Sequence, residues 1–303
     1  MEPWIAITLV AAFLQNARTA LQKKLVGRLD ATEASYVRFC YAWPFALAHV
    51  ALLAAGGADL PVPTARFLAF VSAGAVLQIL GTVALIASFA HRNFAVGSAY
   101  SKTETVQTAL FGLVLLGDAV PLGATLGIGV SLVGVLLLSP RAPKVGGEPR
   151  QWVGTGGWLG MGAGAGFASS AVCYRGASLA LDGEAHVTAA VTLLASTVIQ
   201  TLVMGLWLAR PGGKPGALPR VASAWRVGIW VGLAGMAASA GWFTAMTLES
   251  AALVRALGQV ELLFAFVVAT AIFRERVRLM EVAGSVLIVG GIGLLLHPAL
   301  QGP

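Results

Sequence analysis

The chain has 303 residues, 57% of them hydrophobic and only 11% charged, with a mean hydropathy of +0.82. Apolar runs of about 20 residues, enough to span roughly 30 Å of hydrocarbon, recur along it and exclude a soluble globular class, whose surface helices carry a polar face. The formal charge is +7 and the pI about 9.9, but the basic residues sit between the apolar runs without an aromatic-interleaved stripe, which excludes a nucleic-acid surface.

In chain order the apolar runs predict ten membrane spans. They run from Trp4 to Leu21, Ala34 to Ala55, Arg66 to Ala90, Val96 to Leu116, Pro121 to Leu138, Val153 to Arg175, His186 to Ala209, Arg226 to Leu248, Ala251 to Phe273 and Val277 to Leu296. Short links rich in Gly, Pro or charge separate them, among them GGADLPVP and RPGGKPGALPR. The opening Met1, Glu2, Pro3 and Trp4 lack a basic leader, and Arg18 interrupts the first run, so that run is expected to stay as a membrane helix. The expected class is an all-α membrane protein. Its domains are a five-helix repeat over 1–140, a linker over 141–152 and a second five-helix repeat over 153–303.

The repeat is visible at a constant offset of 157. NFAVGSAYSKTETVQTALFGLVLLGDAV aligns with SAALVRALGQVELLFAFVVATAIFRERV, placing Glu104 on Glu261, Ala95 on Ala252 and Ala99 on Ala256, and the same offset then places Gly127 on Gly284 and Gly134 on Gly291. The front parts align more weakly at an offset of 151, with Lys24 over Arg175 and Glu33 over Glu184. Five spans is an odd number, so the second repeat enters the membrane from the opposite side and the repeat is inverted. Lys23, Lys24 and Arg28, then Arg141, Lys144 and Arg150, then Arg210, Lys214, Arg220 and Arg226, then Arg274, Arg276 and Arg278 all fall on one side. Positive-inside bias would make that side cytoplasmic and put both termini outside the cytoplasm.

An ionisable group at membrane depth costs about 2.5–3.5 kcal/mol, so each one points to a partner, a cavity or a function. Glu104 lies about nine residues into its span, roughly 14 Å deep and close to the midplane, and Glu261 reaches a matching depth from the other side. On an unbroken helix Ser98, Lys102 and Thr105 would share one face and Glu104, Gln107 and Thr108 another, with Arg255 and Gln259 taking the Lys102 face in the second repeat. Gln15, Asn16, Arg18, Arg38 and Tyr41 add further deep polar groups. Setting Arg18, Arg38, Lys102 and Arg255 against Glu104 and Glu261 leaves two positive charges for an anionic ligand group to balance. In a purely structural alternative, Arg18 and Arg38 clamp the glutamates while Lys102 and Arg255 snorkel towards water.

The remaining conspicuous residues carry little chemistry. Cys40 and Cys173 read as small hydrophobes with no disulfide expected. His49, His91, His186 and His297 are scattered without metal-ligand spacing, no cofactor or metal motif is present, and no catalytic constellation marks an enzyme. The glycines from Gly154 to Gly166 lack the Lys-Ser or Lys-Thr of a phosphate loop, so they and the pair Gly123 and Gly127 read as helix packing. Trp4, Trp152, Trp225 and Trp230 are expected as interfacial anchors, whereas Trp158 and Trp242 lie within spans where they could line a cavity.

ALFGLVLLGDAVPLGATLGIGVSLVGVLLLSP and its counterpart LLFAFVVATAIFRERVRLMEVAGSVLIVGGIGLLLHP each set an acid, Asp118 or Glu275, in a turn before a glycine-bearing span. Over nearly the whole chain this resembles the duplicated module of the EamA family in the drug/metabolite transporter superfamily. The resemblance implies a multi-pass inner-membrane protein working by alternating access, often exporting amino acids or other metabolites. Many relatives are assigned with cytoplasmic termini, against the charge count above, so the orientation stays open. Lys102 with Glu104 and Arg255 with Glu261 favour a ligand bearing a carboxylate, phosphate or sulfonate.

The expected function is therefore secondary active transport, as an exporter, of a small polar metabolite, anionic or zwitterionic, such as an amino acid or organic acid. The expected binding residues are Lys102, Glu104, Arg255, Glu261, Gln259, Gln15, Asn16, Arg18, Arg38, Tyr41 and Trp242. Partners are the small-molecule substrate and the lipid bilayer, with proton coupling and a homodimer both open and no nucleic acid. Buried carboxylates suit proton coupling because burial penalises the charged form while a neighbouring cation favours it. The alternatives are a flippase for a lipid or lipid-linked phosphate headgroup and a non-transporting membrane partner protein.

Overall fold

The computed structural model describes residues 2–25, 27–90, 100–138, 155–211, 214–271 and 279–297. Its described elements are helices: α1 (Pro3–Lys23), α2 (Ala31–Cys40), α3 (Trp43–Ala55), α4 (Ala65–Ala90), α5 (Glu104–Leu116), α6 (Leu122–Leu138), α7 (Thr155–Leu179), α8 (Ala185–Ala209), α9 (Ala217–Ser223), α10 (Trp225–Leu248), α11 (Ala251–Leu257), α12 (Val260–Ala271) and α13 (Leu279–Leu296). Among the described residues six stretches are long and apolar enough to cross a membrane: Pro3–Gln22, Ala31–Ala55, Ala65–Ser88, Ala185–Ala209, Trp225–Leu248 and Leu279–Leu296. The shorter Glu104–Leu116 and Leu122–Leu138 are apolar as well. Linker 141–152 and Glu275 lie outside the described residues.

Three expected spans are interrupted. The second breaks at Tyr41 and Ala42 because Pro44, in the first turn of α3, has no N–H to donate to the Cys40 carbonyl. Its first half starts on a capping box: Asp30 Oδ1 accepts from the Thr32 and Glu33 N–H groups at 2.8 and 3.0 Å, and Glu33 Oε2 accepts from the Asp30 N–H at 3.0 Å. The fourth and ninth spans break beside their glutamates, as described below.

The chain divides into two compact units, each taking a segment from both halves of the sequence. The first comprises Met1–Ile79 and Cys173–Glu249. There α1 runs along α10, with Gly241 so close that an added Cβ would sit 2.9 Å from the Ala11 Cβ. Helix α8 packs on α2, α3 and α10, and the short α9 lies over the end of this bundle. Ala217 and Val221 of α9 join a buried cluster with Leu25, Leu29, Val37 and Phe39.

The second unit comprises Leu80–Val172 and Ser250–Pro303, and is built around α6 crossing α13. A Cβ on Gly127 would lie 2.6 Å from the Gly291 carbonyl oxygen, and one on Gly134 would lie 2.6 Å from that of Gly284. Numbers rise along one helix as they fall along the other, so the pair is antiparallel. Gly291 is the repeat counterpart of Gly134, and Gly284 that of Gly127. Reciprocal contacts of this kind are what a two-fold axis between equivalent helices produces.

Candidate functional site

The polar residues singled out in the sequence separate between the units. Lys102, Glu104, Arg255, Gln259 and Glu261 lie in the second, and Gln15, Asn16, Arg18, Arg38, Tyr41 and Trp242 in the first.

The second unit's cluster stands on two helix interruptions. The chain turns at Lys102–Thr103 and restarts as α5 at Glu104. Thr103 holds this turn, since its N–H and its hydroxyl both donate to the Tyr100 carbonyl, at 3.2 and 2.6 Å. A threonine side chain thereby competes with the helical ladder. In the second repeat α11 ends at Leu257, the chain turns at Gly258–Gln259, and α12 restarts at Val260. Three tight three-residue bonds carry that turn: Gln259 N–H to Ala256, Glu261 N–H to Gly258 and Leu262 N–H to Gln259, at 3.2, 3.0 and 3.0 Å. At the offset of 157 the two turns overlap.

Each interruption puts a glutamate in the first turn of a new helix, Glu104 in α5 and Glu261 in α12, where the helix dipole favours an anion. Arg255 occupies the last turn of α11, where the same dipole favours a cation. Lys102 sits in the turn and Thr105 in α5, so these two do not share the face of one unbroken helix; Ser98, the third residue of that expected face, lies outside the described residues.

Lys102 Nζ donates to Glu261 Oε1 at 3.0 Å, and Arg255 Nη1 stands 3.8 Å from Glu104 Oε1. The four side chains are only 16–23% exposed. Two cations thus face two carboxylates, and the cluster is formally neutral. Lys102 and Arg255 do not snorkel to water. The glutamates are equivalent by repeat, but their cations are not: Lys102 sits at the position of Gln259, and Arg255 at the position of Ser98. Gln259, 5% exposed, donates through Nε2 to Thr105 Oγ1 at 2.6 Å. Gly164 of α7 passes the first interruption so closely that a Cβ there would lie 2.9 Å from the Ser101 carbonyl oxygen.

In the first unit Trp242 Nε1 donates to Gln15 Oε1 at 3.1 Å, and Trp242 is buried. Asn16 is half-buried on α1. Arg18 is buried with its aliphatic stem against Gly235 of α10. The Tyr41 hydroxyl donates to the Val221 and Ala222 carbonyls at 3.1 and 3.3 Å, and its ring fills the space beside Gly228, so these contacts join α9 and α10 to the break between α2 and α3. Arg38 lies with its guanidinium 5.0 Å from the Phe39 ring centre and lines a cavity of about 20 Å³ with Gln78, Ser196, Gln200 and Ser239. That volume suits a single water. Beside it Gln200 Nε2 donates to Gln78 Oε1 at 2.5 Å and to the Tyr174 hydroxyl at 3.0 Å.

Two tryptophans depart from expectation. Trp158 is 62% exposed, in the first turn of α7. Trp4 is buried, its indole donating to Glu2 Oε2 at 2.8 Å instead of anchoring at the interface.

The sequence profile of the EamA-like transporter family matches residues 2–139 and again 154–297. The chain belongs to the EamA-like transporter family. No curated protein matches it. A solved structure described only as "Crystal structure of protein" superposes with a TM-score of 0.71 at 17% identity, covering 97% of this chain and 96% of that one. At that identity the likeness concerns the fold alone. This EamA-like transporter is a multi-pass membrane protein, and its substrate is a small molecule as the family implies.

Sequence reading missed several polar residues of this transporter. Gln78, Tyr174 and Gln200 form a buried network, and Arg175 Nη1 donates to the Met246 and Glu249 carbonyls, each at 2.6 Å, where α10 ends. For Gln78 and Gln200 the usable signal was a lone amide inside an apolar run, which a search for charge passes over; Arg175 was read only as the end of a span.

Proposed function

We propose that this protein is a secondary exporter of a zwitterionic small metabolite of the amino-acid class, working by alternating access of two inverted repeats in the inner membrane. The supporting observation is the neutral cluster of Lys102, Glu261, Arg255 and Glu104 at matched helix interruptions. A zwitterion entering an ion pair gives its carboxylate to the cation and its ammonium to the carboxylate, so every charge keeps a counter-charge. An organic anion alone would leave one glutamate uncompensated in a poorly solvated site, at a cost of several kcal/mol. Protonation of that glutamate removes the cost, so an organic acid is the second ligand class and brings proton coupling with it.

Without substrate, Lys102 closes on Glu261 and Arg255 faces Glu104, so these four charges compensate one another. The interruptions suit the role because chain ends of half-helices supply hinges and fixed dipoles at membrane depth. Export is the direction the EamA resemblance implies.

A thermal-shift screen of the purified protein against amino acids, organic acids and simple amines tests the reading. Stabilisation by amino acids that vanishes in Lys102→Ala supports it. Equal stabilisation of both proteins would move the ligand away from this cluster.

A further inference from the structure

A second polar surface in the first unit owes nothing to the four-charge cluster. It lies at one end of α8, where the loop to α9 meets the loop between α1 and α2. Lys214 Nζ reaches Asp30 Oδ2 at 2.7 Å, and Arg220 Nε donates to Glu33 Oε1 at 3.0 Å, so both loops occupy the same membrane face. That face also carries Lys24, Arg28, Arg210 and Arg226.

Within it is a surface hollow of about 350 Å³. Its floor is apolar, with Leu208 and Ala217 only 3% and 2% exposed, and its rim carries Arg210, Lys214 and Leu218. The Arg210 guanidinium stacks on Trp207, 4.8 Å from the ring centre, which fixes its plane and leaves its N–H edges available. Trp207 and Trp225 are 40% and 52% exposed at the adjoining ends of α8 and α10, the level at which tryptophan marks a headgroup layer. Below Arg210 at four-residue steps come Leu206 and Leu202, 72% and 58% exposed. Three residues at that spacing form one stripe of a helix. An apolar track therefore leads along α8 to a planar cation, with a second cation beside it.

We infer that this hollow is a binding site for an anionic diacyl phospholipid, its phosphate held between Arg210 and Lys214 and one acyl chain lying on Leu206 and Leu202. Guanidinium matches phosphate oxygens two at a time, and the ammonium of Lys214 has three donors, of which the Asp30 bond uses one. A lipid is the occupant this arrangement suits, because Arg210, on the rim of the hollow, is also the residue at which the exposed Leu202 and Leu206 spacing of a spanning helix ends.

The test is native mass spectrometry of the full-length protein released from mixed phosphatidylglycerol and phosphatidylcholine nanodiscs. A basic residue near an anionic lipid surface is worth about fivefold in affinity at 25 °C. Retained phosphatidylglycerol should fall about fivefold in Arg210→Gln and roughly 25-fold in Arg210→Gln with Lys214→Gln. Arg66→Gln should not change it; Arg66 makes a similar stack on Phe70, 5.7 Å away, at the opposite end of this unit. Because Lys214→Gln also opens the pair to Asp30, the single Arg210 variant carries the test should the double variant misfold. Unchanged retention in Arg210→Gln, equal retention of phosphatidylcholine, or displacement of the lipid by free glycerol phosphate would each overturn the inference, the last by making this a soluble-phosphate site.

Discussion

Lys102 Nζ hydrogen-bonds Glu261 Oε1 at 3.0 Å across 159 residues of sequence, joining the interruption of one repeat to that of the other. Because the bond links residues that are not repeat-equivalent, it is the point at which a near-symmetric frame becomes chemically asymmetric.

Removing one partner of this pair should expose its cost. Glu261→Gln or Lys102→Met is expected to destabilise the protein by about 3 kcal/mol, since a buried charge is left uncompensated. The exchange Lys102→Glu with Glu261→Lys should restore most of that stability while leaving transport impaired, because the dipole at the start of α12 then meets a cation. Thermal melts of wild type, Glu261→Gln, Lys102→Met and the double variant Lys102→Met with Glu261→Gln close a double-mutant cycle and read the coupling directly.

The Gln259 to Thr105 bond predicts a smaller effect. Thr105→Val preserves shape but leaves a buried amide without this acceptor, for an expected loss of about 1–3 kcal/mol in melting experiments. Thr105→Ser keeps the hydroxyl and should lose much less.

At the crossing of α6 and α13, Gly134→Leu must push a side chain into the Gly284 carbonyl, and about 1–3 kcal/mol of overpacking strain is expected. Gly129→Leu is the matched control, because an added Cβ there meets nothing within 4 Å. Comparable melting temperatures for the two variants would contradict the antiparallel glycine contact.

Asp30 supplies a pH prediction outside the spans. Burial alone would raise its carboxyl, but the Lys214 hydrogen bond, the N–H groups of Glu33 and Thr32 and the Lys214 charge outweigh it and hold the group below its ordinary 3.8. A lowered folded-state value means that this contribution is fully present above the unfolded value and disappears as pH falls through the folded one. Wild type should therefore lose melting temperature faster than Asp30→Asn below about pH 4, and the two curves should run parallel above about pH 5.

Much of this arrangement was legible in the sequence. Composition gave the solvent, and the offset of 157 identified Glu104 with Glu261 and picked out the four glycines where α6 crosses α13, although their contacts run between exchanged partners, Gly127 with Gly291 and Gly134 with Gly284. The helix interruptions were not legible, because apolar periodicity runs straight through TETVQTAL and QVELLFAF and says nothing about local competition. What breaks the first is one threonine hydroxyl on the Tyr100 carbonyl, a contact decided at the scale of a hydrogen bond. The pairing was hidden for another reason: face counting on an unbroken helix correctly set Lys102 apart from Glu104, but the partner it gains lies in the other repeat. Pro44 is different. Its effect on the second span could have been read, since a proline in a long apolar run removes a ladder bond wherever it stands.

The central claim is that a zwitterion opens and occupies the charge cluster. Its most direct measurement is counterflow of a radiolabelled neutral amino acid, chosen from the thermal-shift hits, in proteoliposomes of wild type and of Lys102→Gln with Glu261→Gln. That double variant keeps the site neutral and removes both recognition charges. The account predicts robust counterflow in wild type and a loss of at least about tenfold in the folded variant, equivalent to about 1.4 kcal/mol of binding. Undiminished counterflow in the variant would contradict it.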